Sequence, residues 1–397
     1  MTDKDFSRYN LIAGWLVFAI ALVTYSLTVE PTVSFWDCGE YIATSAKLEV
    51  GHPPGAPFFQ MMGAFIAAFA PNTDKIALLV NYMSVLSSAF TVFFLYFIIV
   101  NLAKKIALRS ADTLSVAHTV AVMGSGVVGA LAYTFSDSFW FNAVEAEVYA
   151  MAMLFMSVMF WLGIKWTDSL HEPRGDRWLL LISLVVGLSF GVHFMALLTI
   201  PAIGMLYFFN SNYKKTVVNF ILANVISIAI LLLIFKLILP YTLAYFGYLE
   251  VFFVNSFGMP FNSGTIIAGL SVIAFFYFTL NYAYKKNKVR LQTGILCLLF
   301  IFIGFSSWLM IPIRANANTV INENSPTDAR LLLAYYNLEQ YPETHLFYGP
   351  MYTDKYAGID PEHPYEDAKP KYERDYKLGK YVIVNNYKNA QTASNRA

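Results

Sequence analysis

Long apolar runs with almost no charge alternate with short polar segments along most of this chain. A helix that crosses a membrane needs about 20 mostly apolar residues. Runs near that length predict nine spans, at residues 11–29, 76–102, 118–135, 144–164, 178–192, 194–209, 216–240, 265–284 and 291–313. The fifth and sixth come from one uncharged stretch that is too long for a single span and is split at the sequence GVHF. The pattern predicts an all-α polytopic membrane protein.

Composition supports this class. Hydrophobic residues make up 57% of the chain and charged residues only 13%, whereas a soluble domain carries about 25% charged residues. A net charge of +1 argues against a nucleic-acid binder, which would show a strongly basic face. The two cysteines, Cys38 and Cys297, cannot form a metal-binding cluster, and the predicted topology places them at opposite membrane faces.

The distribution of Lys and Arg predicts the orientation, because basic residues concentrate in short cytoplasmic loops. An N-terminus in the cytoplasm collects nearly all loop lysines and arginines on that side, and the opposite loops keep Lys47 and Lys75 before the C-terminal tail. The polar segments 35–41, 136–149, 241–264 and 314–324 then lie on the extracytoplasmic face. We therefore expect the activity outside the cytoplasm.

The first extracytoplasmic loop, 30–75, is long for a multispan protein. Its apolar stretch 56–70 predicts a helix that lies in the interface and does not span the membrane. The sequence GHPPG before it predicts a rigid corner. Residues 314–397 are polar, and a short helix is expected after Ser325 and Pro326. We predict a transmembrane domain, 1–313, and a small extracytoplasmic segment, 314–397, that begins a longer region.

Two acidic pairs are the strongest candidates for chemistry. Asp37 and Glu40 lie in FWDCGEY, and Glu145 and Glu147 lie in VEAEVY, at the boundary of another span on the same predicted face. A loop acid is ordinarily solvated or caps a helix. Two acidic clusters that converge on one face favour a site that handles hydroxyls, a metal or a sugar.

Four further residues are candidates for donor or substrate binding. Lys236 is the charged residue within an apolar span, and Arg314 directly follows the last one. Both are suited to a phosphate, although a snorkelling lysine and an interfacial arginine are equally ordinary readings. His52 and His193 lack a second histidine at metal-ligand spacing, so packing or capping roles compete with binding. Whether a divalent cation takes part is left open.

The segments FWDCGEY, GHPPGAP, WFNAVEAEVYA and IPIRANAN followed by INEN occur in one order along the chain. Through them the sequence resembles the bacterial domain-of-unknown-function 2723 family, which is related to protein O-mannosyltransferases of the GT-C class. The resemblance covers roughly residues 15–324. It implies a GT-C-like transmembrane helix bundle.

The resemblance also implies a function. Such enzymes take a sugar, mannose or a similar hexose, from a polyprenyl-phosphate carrier and deliver it to hydroxyls of exported proteins at the outer face of the bacterial inner membrane. An acid in the first outer loop is the catalytic base, and Asp37 matches it by position. The related mannosyltransferases carry two adjacent acids there, whereas Glu40 stands three residues from Asp37. A glycosyltransferase acting on lipid or polysaccharide, and a non-enzymatic transporter of lipid-linked sugar, remain alternatives.

Overall fold

Helices dominate the computed structural model, which describes residues 3–109, 113–341 and 363–389. The helices before residue 170 are α1 (Asp3–Thr28), α2 (Cys38–Lys47), α3 (Pro57–Ala67), α4 (Ile76–Ala107), α5 (Val116–Thr134), α6 (Asp137–Ala143) and α7 (Val148–Asp168). The later ones are α8 (Arg177–Ser189), α9 (Thr199–Asn210), α10 (Val217–Leu232), α11 (Leu239–Phe257), α12 (Ser263–Lys285), α13 (Val289–Phe305), α14 (Met310–Ala315) and α15 (Ala329–Tyr336). Two strands follow, β1 (Tyr365–Asp375) and β2 (Lys380–Asn389). The predicted polytopic helical class is confirmed.

Within the described residues, seven helical segments are long and apolar enough to cross a membrane. They are Lys4–Thr28, Thr73–Ala107, Val116–Thr134, Val148–Asp168, Val217–Phe257, Ser263–Lys285 and Val289–Ala315. The predicted spans 178–192 and 194–209 are instead shorter apolar helices, Arg177–Ser189 and Phe194–Asn210. At 1.5 Å per residue, a 13-residue α8 is about 20 Å long, less than the ~30 Å hydrocarbon core. The count of nine full-length spans was therefore too high.

The break at GVHF is present in the structure. Helix α8 ends at Ser189, and a 3₁₀ turn, Phe194–Leu198, leads into α9. Irregular backbone at membrane depth is tolerated where it is buried in protein or lines a cavity. Irregular backbone at this break can therefore line a cavity.

The predicted end of a span at Pro240 was wrong. The chain passes through a π-helical turn, Leu233–Ile238, and continues as helix α11. The predicted loop 241–264 is thus mostly helical. A proline removes one backbone donor and crowds the preceding turn, and a wider π turn directly before it accommodates both defects without ending the helix.

The chain forms two compact units. The first contains Met1–Leu239 and Phe276–Thr327, and the second contains Pro240–Phe275 and Asp328–Ala397. This grouping differs from the predicted division into 1–313 and 314–397, which remains a prediction about domains. Residues 342–362 and 390–397 of the predicted C-terminal segment lie outside the described residues.

Two apolar clusters organise the first unit. One joins α1, α4 and α5 through fully buried side chains such as Val17, Val92 and Ala130. The other lies directly beneath the first loop, where Cys38, Phe59, Val80 and Met151 bring together the loop, α3, α4 and α7. The second cluster therefore fixes the positions of the first loop and of the start of α7.

Close helix contact also requires glycine. A Cβ atom on Gly187 of α8 would lie 2.2 Å from the carbonyl oxygen of Ile301, and one on Gly304 of α13 would lie 2.6 Å from the carbonyl carbon of Gly187. Small residues allow such backbone approach between membrane helices. Helix α13 therefore holds α8, and with it the GVHF break, in place.

The second unit contains an antiparallel hairpin of β1 and β2. The buried Glu250 carboxylate accepts hydrogen bonds from the backbone of Asn262 and Thr265 and from the Tyr381 hydroxyl, the last at 2.9 Å. These bonds fasten the hairpin to the turn between α11 and α12. The short helix expected after Ser325 and Pro326 is α15, although Asp328 caps it, through bonds to its first backbone N–H groups.

Candidate functional site

The first loop is held at its start by α4. Asn81, fully buried, donates from Nδ2 to the carbonyl oxygens of Glu30 (2.7 Å) and Thr32 (2.8 Å). The chain then turns at Trp36, whose φ is +57°. Asp37 occupies the N-cap position of α2, but its side chain makes no capping hydrogen bond. The carboxylate of Asp37 therefore does not have the capping role that is usual for an acid at this position.

The far end of the loop is fixed by backbone bonds. Val50 pairs in parallel with Asn322, so residues after α14 hold the segment before GHPPG. Beyond the GHPPG corner, the N–H groups of Phe58 and Phe59 at the start of α3 donate to the carbonyl oxygen of Gly191, at 2.8 and 3.0 Å. The GVHF break and the first loop thus meet.

Glu40 and His52 form the best-defined polar contact of this loop. One Glu40 oxygen accepts the backbone N–H of His52 at 2.6 Å, and the other lies 3.1 Å from the ring Nδ1. The opposite ring nitrogen, Nε2, lies 3.7 Å from an Asp37 carboxylate oxygen. Gly51 makes room for this arrangement, because a Cβ there would lie 2.5 Å from Oε1 of Glu40. His52 therefore lies between the two carboxylates that the sequence pointed to.

His52 and Glu40 shift each other's pKa. The hydrogen bond to Glu40 raises the pKa of His52 against the opposing effect of burial, and the charges of Glu40, Asp37 and Glu323 add to the increase. Burial by itself would raise the pKa of Glu40, but the hydrogen bonds and charge of His52 outweigh it and lower that pKa. Each partner of this pair therefore favours the charged form of the other.

Glu147 faces the same site from the start of α7. It is 4% exposed, and burial, followed by the charges of Asp37 and Glu145, raises its pKa to about 7. The backbone N–H groups of Val148 and Asp37 hydrogen-bond its carboxyl group and partly oppose that increase. Glu145 is also buried; burial raises its pKa, and a hydrogen bond to Ser34 opposes the increase. Of the predicted acidic pair, Glu147 is the one that contacts Asp37.

His193 reaches the site from the GVHF break. Its Nδ1 accepts the backbone N–H of Met195 at 3.1 Å, which assigns the ring proton to Nε2. Burial lowers the pKa of His193, so the ring is neutral near pH 7. It lies against Tyr149, with 5.1 Å between ring centroids. His193 thus offers a neutral hydrogen-bond donor.

These side chains line one cavity of about 130 Å³. Its polar lining comes from Asp37, Tyr41, His52, Glu147, Tyr149 and His193. The volume is below the ~300–1,000 Å³ of sites that enclose a whole ligand. The cavity, which we call the acidic cavity, therefore suits the reacting groups of a larger substrate.

Lys236 and Arg314 are not among the residues that line the acidic cavity. Arg314 donates from Nε to the carbonyl oxygen of Leu48 at 2.5 Å and from a terminal nitrogen to that of Lys47 at 3.3 Å. It thereby satisfies carbonyl groups at the end of α2, a common place for a cation. Lys236 is exposed, with its ammonium 4.7 Å from the ring centroid of Phe235. A phosphate-binding role for either residue remains a prediction.

Among the described residues, no group of three or more His, Cys, Asp or Glu side chains is arranged to hold a metal ion. The cavity also contains residues that sequence reasoning missed, Tyr41 and Tyr149. Each is the last letter of an acidic motif, FWDCGEY and VEAEVY. Tyr41 follows Asp37 by four residues and Tyr149 follows Glu147 by two, and this closeness in sequence was the available signal.

A second cavity, of about 570 Å³, lies between α7, α8, α9, α10 and α13. Its lining is almost entirely apolar and includes Ile182, Val186, Ile203 and Ile230. Val186 is one helical turn, about 6 Å along the axis, from Phe190, which lines the acidic cavity. The apolar cavity therefore approaches the acidic cavity along α8.

Comparison with known proteins matches the region that contains the site. The sequence model of the family described as "Protein O-mannosyl-transferase TMEM260 N-terminal domain" matches residues 37–217. This range includes every residue that lines the acidic cavity. This region of the chain is therefore similar to that family. Residues 342–396 match a second family, of unknown function, DUF8416.

Two curated relatives carry similar names. The "Protein O-mannosyl-transferase tmem260" of Dictyostelium discoideum is 26% identical over 237 residues, which cover 55% of this chain and 27% of the relative. The "Protein O-mannosyl-transferase TMEM260" of Mus musculus is 25% identical over 153 residues, which cover 38% of this chain and 19% of the relative. The chain thus matches about a quarter or less of these relatives' length. No solved structure matches.

Proposed function

We propose that this protein is an inverting GT-C glycosyltransferase that moves a hexose, mannose or a similar sugar, from a polyprenyl-phosphate donor to Ser or Thr hydroxyls of exported proteins. We place the reaction at the extracytoplasmic face of a bacterial inner membrane, with the N-terminus in the cytoplasm. The observation that carries the proposal is Asp37, a carboxylate with no capping bond, in one cavity with His52, Glu147 and His193. The similarity to protein O-mannosyltransferases supports the reaction class.

Asp37 is the proposed general base. Its side chain is 59% exposed, whereas that of His52 beside it is 23% exposed, so an acceptor hydroxyl can reach the carboxylate from solvent. Asp37 takes the hydroxyl proton while the oxygen attacks the anomeric carbon. The bond between that carbon and the phosphate oxygen breaks at the same time, and the polyprenyl phosphate leaves as an anion. One displacement inverts the anomeric configuration, in contrast to the two-step scheme of retaining glycosidases.

The neutral groups of the acidic cavity have a role in this proposal. A negatively charged donor and a carboxylate base repel each other, so further anions near Asp37 would oppose binding. Glu147 holds its proton up to about pH 7, and His193 presents an Nε2–H donor. Both can hydrogen-bond sugar or phosphate oxygens without adding negative charge.

The apolar cavity supports a lipid-linked donor. It offers about 570 Å³ of apolar space within one helical turn of the acidic cavity. A polyprenyl chain placed there would contact Ile182, Val186 and Ile203 while its phosphate faces the acidic cavity. The polyprenyl chain already lies in hydrocarbon within the bilayer, so the apolar cavity would position the donor by packing and not by removing the chain from water.

One observation also favours the transporter alternative. Discontinuous helices beside a substrate site are typical of secondary transporters, and α8 is interrupted at the acidic cavity. A transporter of lipid-linked sugar would move the donor without consuming it. Transfer to protein and transfer to lipid or polysaccharide would both release the free polyprenyl phosphate.

The test uses membranes that contain the full chain with a polyprenyl-phosphate hexose labelled in the sugar. We expect label to appear in protein and to be stable to lipid extraction, with release of the free lipid phosphate. Label in extractable lipid or polysaccharide would favour the other transferase reading. Movement of intact donor across the membrane without label transfer would contradict an enzyme. Addition of EDTA tests whether a divalent cation is needed.

A further inference from the structure

His52 has contacts that a packing histidine does not need. One ring nitrogen and its own backbone N–H bind the two oxygens of Glu40, at 3.1 and 2.6 Å. The other ring nitrogen faces Asp37 at 3.7 Å. Two carboxylates three residues apart in sequence therefore contact opposite edges of one ring.

Several features fix the ring in this orientation. Tyr41 packs on it with 5.6 Å between ring centroids. Gly51 leaves the space that Oε1 of Glu40 occupies. Glu40 lies in the first turn of α2, so the helix determines its position. The pair is therefore set before any substrate binds.

Asp37 is the most exposed member of this row. The side chains of Glu40 and His52 are 27% and 23% exposed, and that of Asp37 is 59% exposed. Asp37 is thus the carboxylate that an acceptor reaches most readily, whereas both Glu40 oxygens are already engaged by His52. The separation of 3.7 Å is longer than a hydrogen bond, as is common for catalytic contacts that tighten when substrate binds.

We propose that His52 is a positioning residue for Asp37: Glu40 orients the ring, and the ring's Nε2–H directs the Asp37 carboxylate at the acceptor hydroxyl. The proposal rests on the glycosyltransferase function proposed above. It gives Glu40 a role that the sequence left in doubt. Glu40 acts on the base through His52 and does not contact the substrate.

Other titratable groups surround this row. Glu147 and Tyr149 at the start of α7 and His193 at the GVHF break face it across the acidic cavity. Glu323 approaches from the segment after α14, and its charge acts on His52. Loss of the His52 proton is the event that removes the cation next to the base.

Kinetics provide the first test. We expect His52→Gln to lower kcat/KM at pH 7 by at least about tenfold, mostly through kcat, because the charged Nε2–H donor that faces Asp37 is lost. The wild type should lose activity at alkaline pH as His52 deprotonates. Glu40→Gln should move that alkaline limb to lower pH, because the Glu40 hydrogen bond is the largest cause of the raised His52 pKa. The double variant should be no worse than His52→Gln alone.

A second measurement does not depend on activity. Diethylpyrocarbonate modifies neutral imidazole, so its rate at His52, followed by peptide mass spectrometry across pH, reports the protonation of that ring. Glu40→Gln should make His52 react at lower pH, whereas the exposed His171 serves as the internal standard. This readout stays informative when His52→Gln fails to fold.

The outcomes separate the two proposals. If the wild type transfers sugar and His52→Gln keeps the wild-type pH profile, the positioning role of His52 is overturned while the proposed function stands. A diethylpyrocarbonate profile of His52 that is unchanged in Glu40→Gln would overturn the positioning role as well. Additive losses in the double variant would also overturn it. Absence of transfer by the wild type would overturn the proposed function and, with it, the purpose given to His52.

Discussion

Replacement of Glu147 by Gln tests the electrostatics of the acidic cavity. Burial, followed by the charges of Asp37 and Glu145, raises the Glu147 pKa from 4.5 to about 7. The folded protein therefore binds this proton more tightly than the unfolded chain does. Stability falls as pH rises from about 4.5 to about 7 and is constant above that. At about 1.4 kcal/mol per pKa unit, the loss is about 3 kcal/mol.

Gln cannot ionise, and its carbonyl oxygen can still accept the N–H groups of Val148 and Asp37. We expect Glu147→Gln to resemble the wild type near pH 4.5 and to unfold several °C higher at pH 8 and above. The assay is thermal unfolding of purified protein in detergent across this pH range. Asp74→Asn removes an exposed acid of the first loop and should stay within about 0.5 kcal/mol of the wild type. If the melting temperatures of the wild type and of Glu147→Gln changed with pH in the same way, the reasoning would be refuted.

Three further substitutions test the surrounding contacts. Gly51→Ala places a Cβ 2.5 Å from Oε1 of Glu40, so thermal unfolding should show a loss of about 1–3 kcal/mol; unchanged stability would contradict the close fit. His52→Gln should destabilise most below about pH 6.5 and less as pH rises through the raised His52 pKa; a pH-independent loss of melting temperature would argue against the ion pair. Arg314→Gln should cost about 1–2 kcal/mol through lost bonds to carbonyls such as that of Leu48; unchanged stability would contradict this role, and the donor KM of the same variant tests the predicted phosphate binding.

Hydrophobic periodicity was sufficient for the helical membrane class because a span of about 20 apolar residues is set by bilayer thickness alone. Periodicity predicted full-length spans at 178–192 and 194–209, but the helices there are shorter. Packing of α8 on α13 and the GVHF break between the two segments allow these shorter helices. Periodicity also ended a span at Pro240, because the rule that proline stops helices does not foresee a π turn. The hairpin of β1 and β2 was not predicted, since its strands are mostly exposed and lack an apolar alternation.

The acidic motifs predicted residues that line one cavity, Asp37 and Glu147, but the contacts of these acids could not be predicted from their spacing. Glu40 lies three residues from Asp37, yet it contacts His52, twelve residues away, because the loop returns at GHPPG. His193 joins them only through the break after α8. Glu145 and Glu147 look equivalent in sequence. Backbone geometry turns Glu147 toward Asp37 and Glu145 toward Ser34.

The most direct test of the account is transfer of labelled hexose from polyprenyl phosphate to protein by Asp37→Asn, beside the wild type and Asp74→Asn. Asn keeps the shape of Asp but cannot take a proton. A positioned general base contributes about 10²–10⁴-fold, so we predict at least a hundredfold loss for Asp37→Asn and near-normal transfer for Asp74→Asn at equal folded protein. Full transfer by folded Asp37→Asn would contradict the assignment of Asp37 as the base.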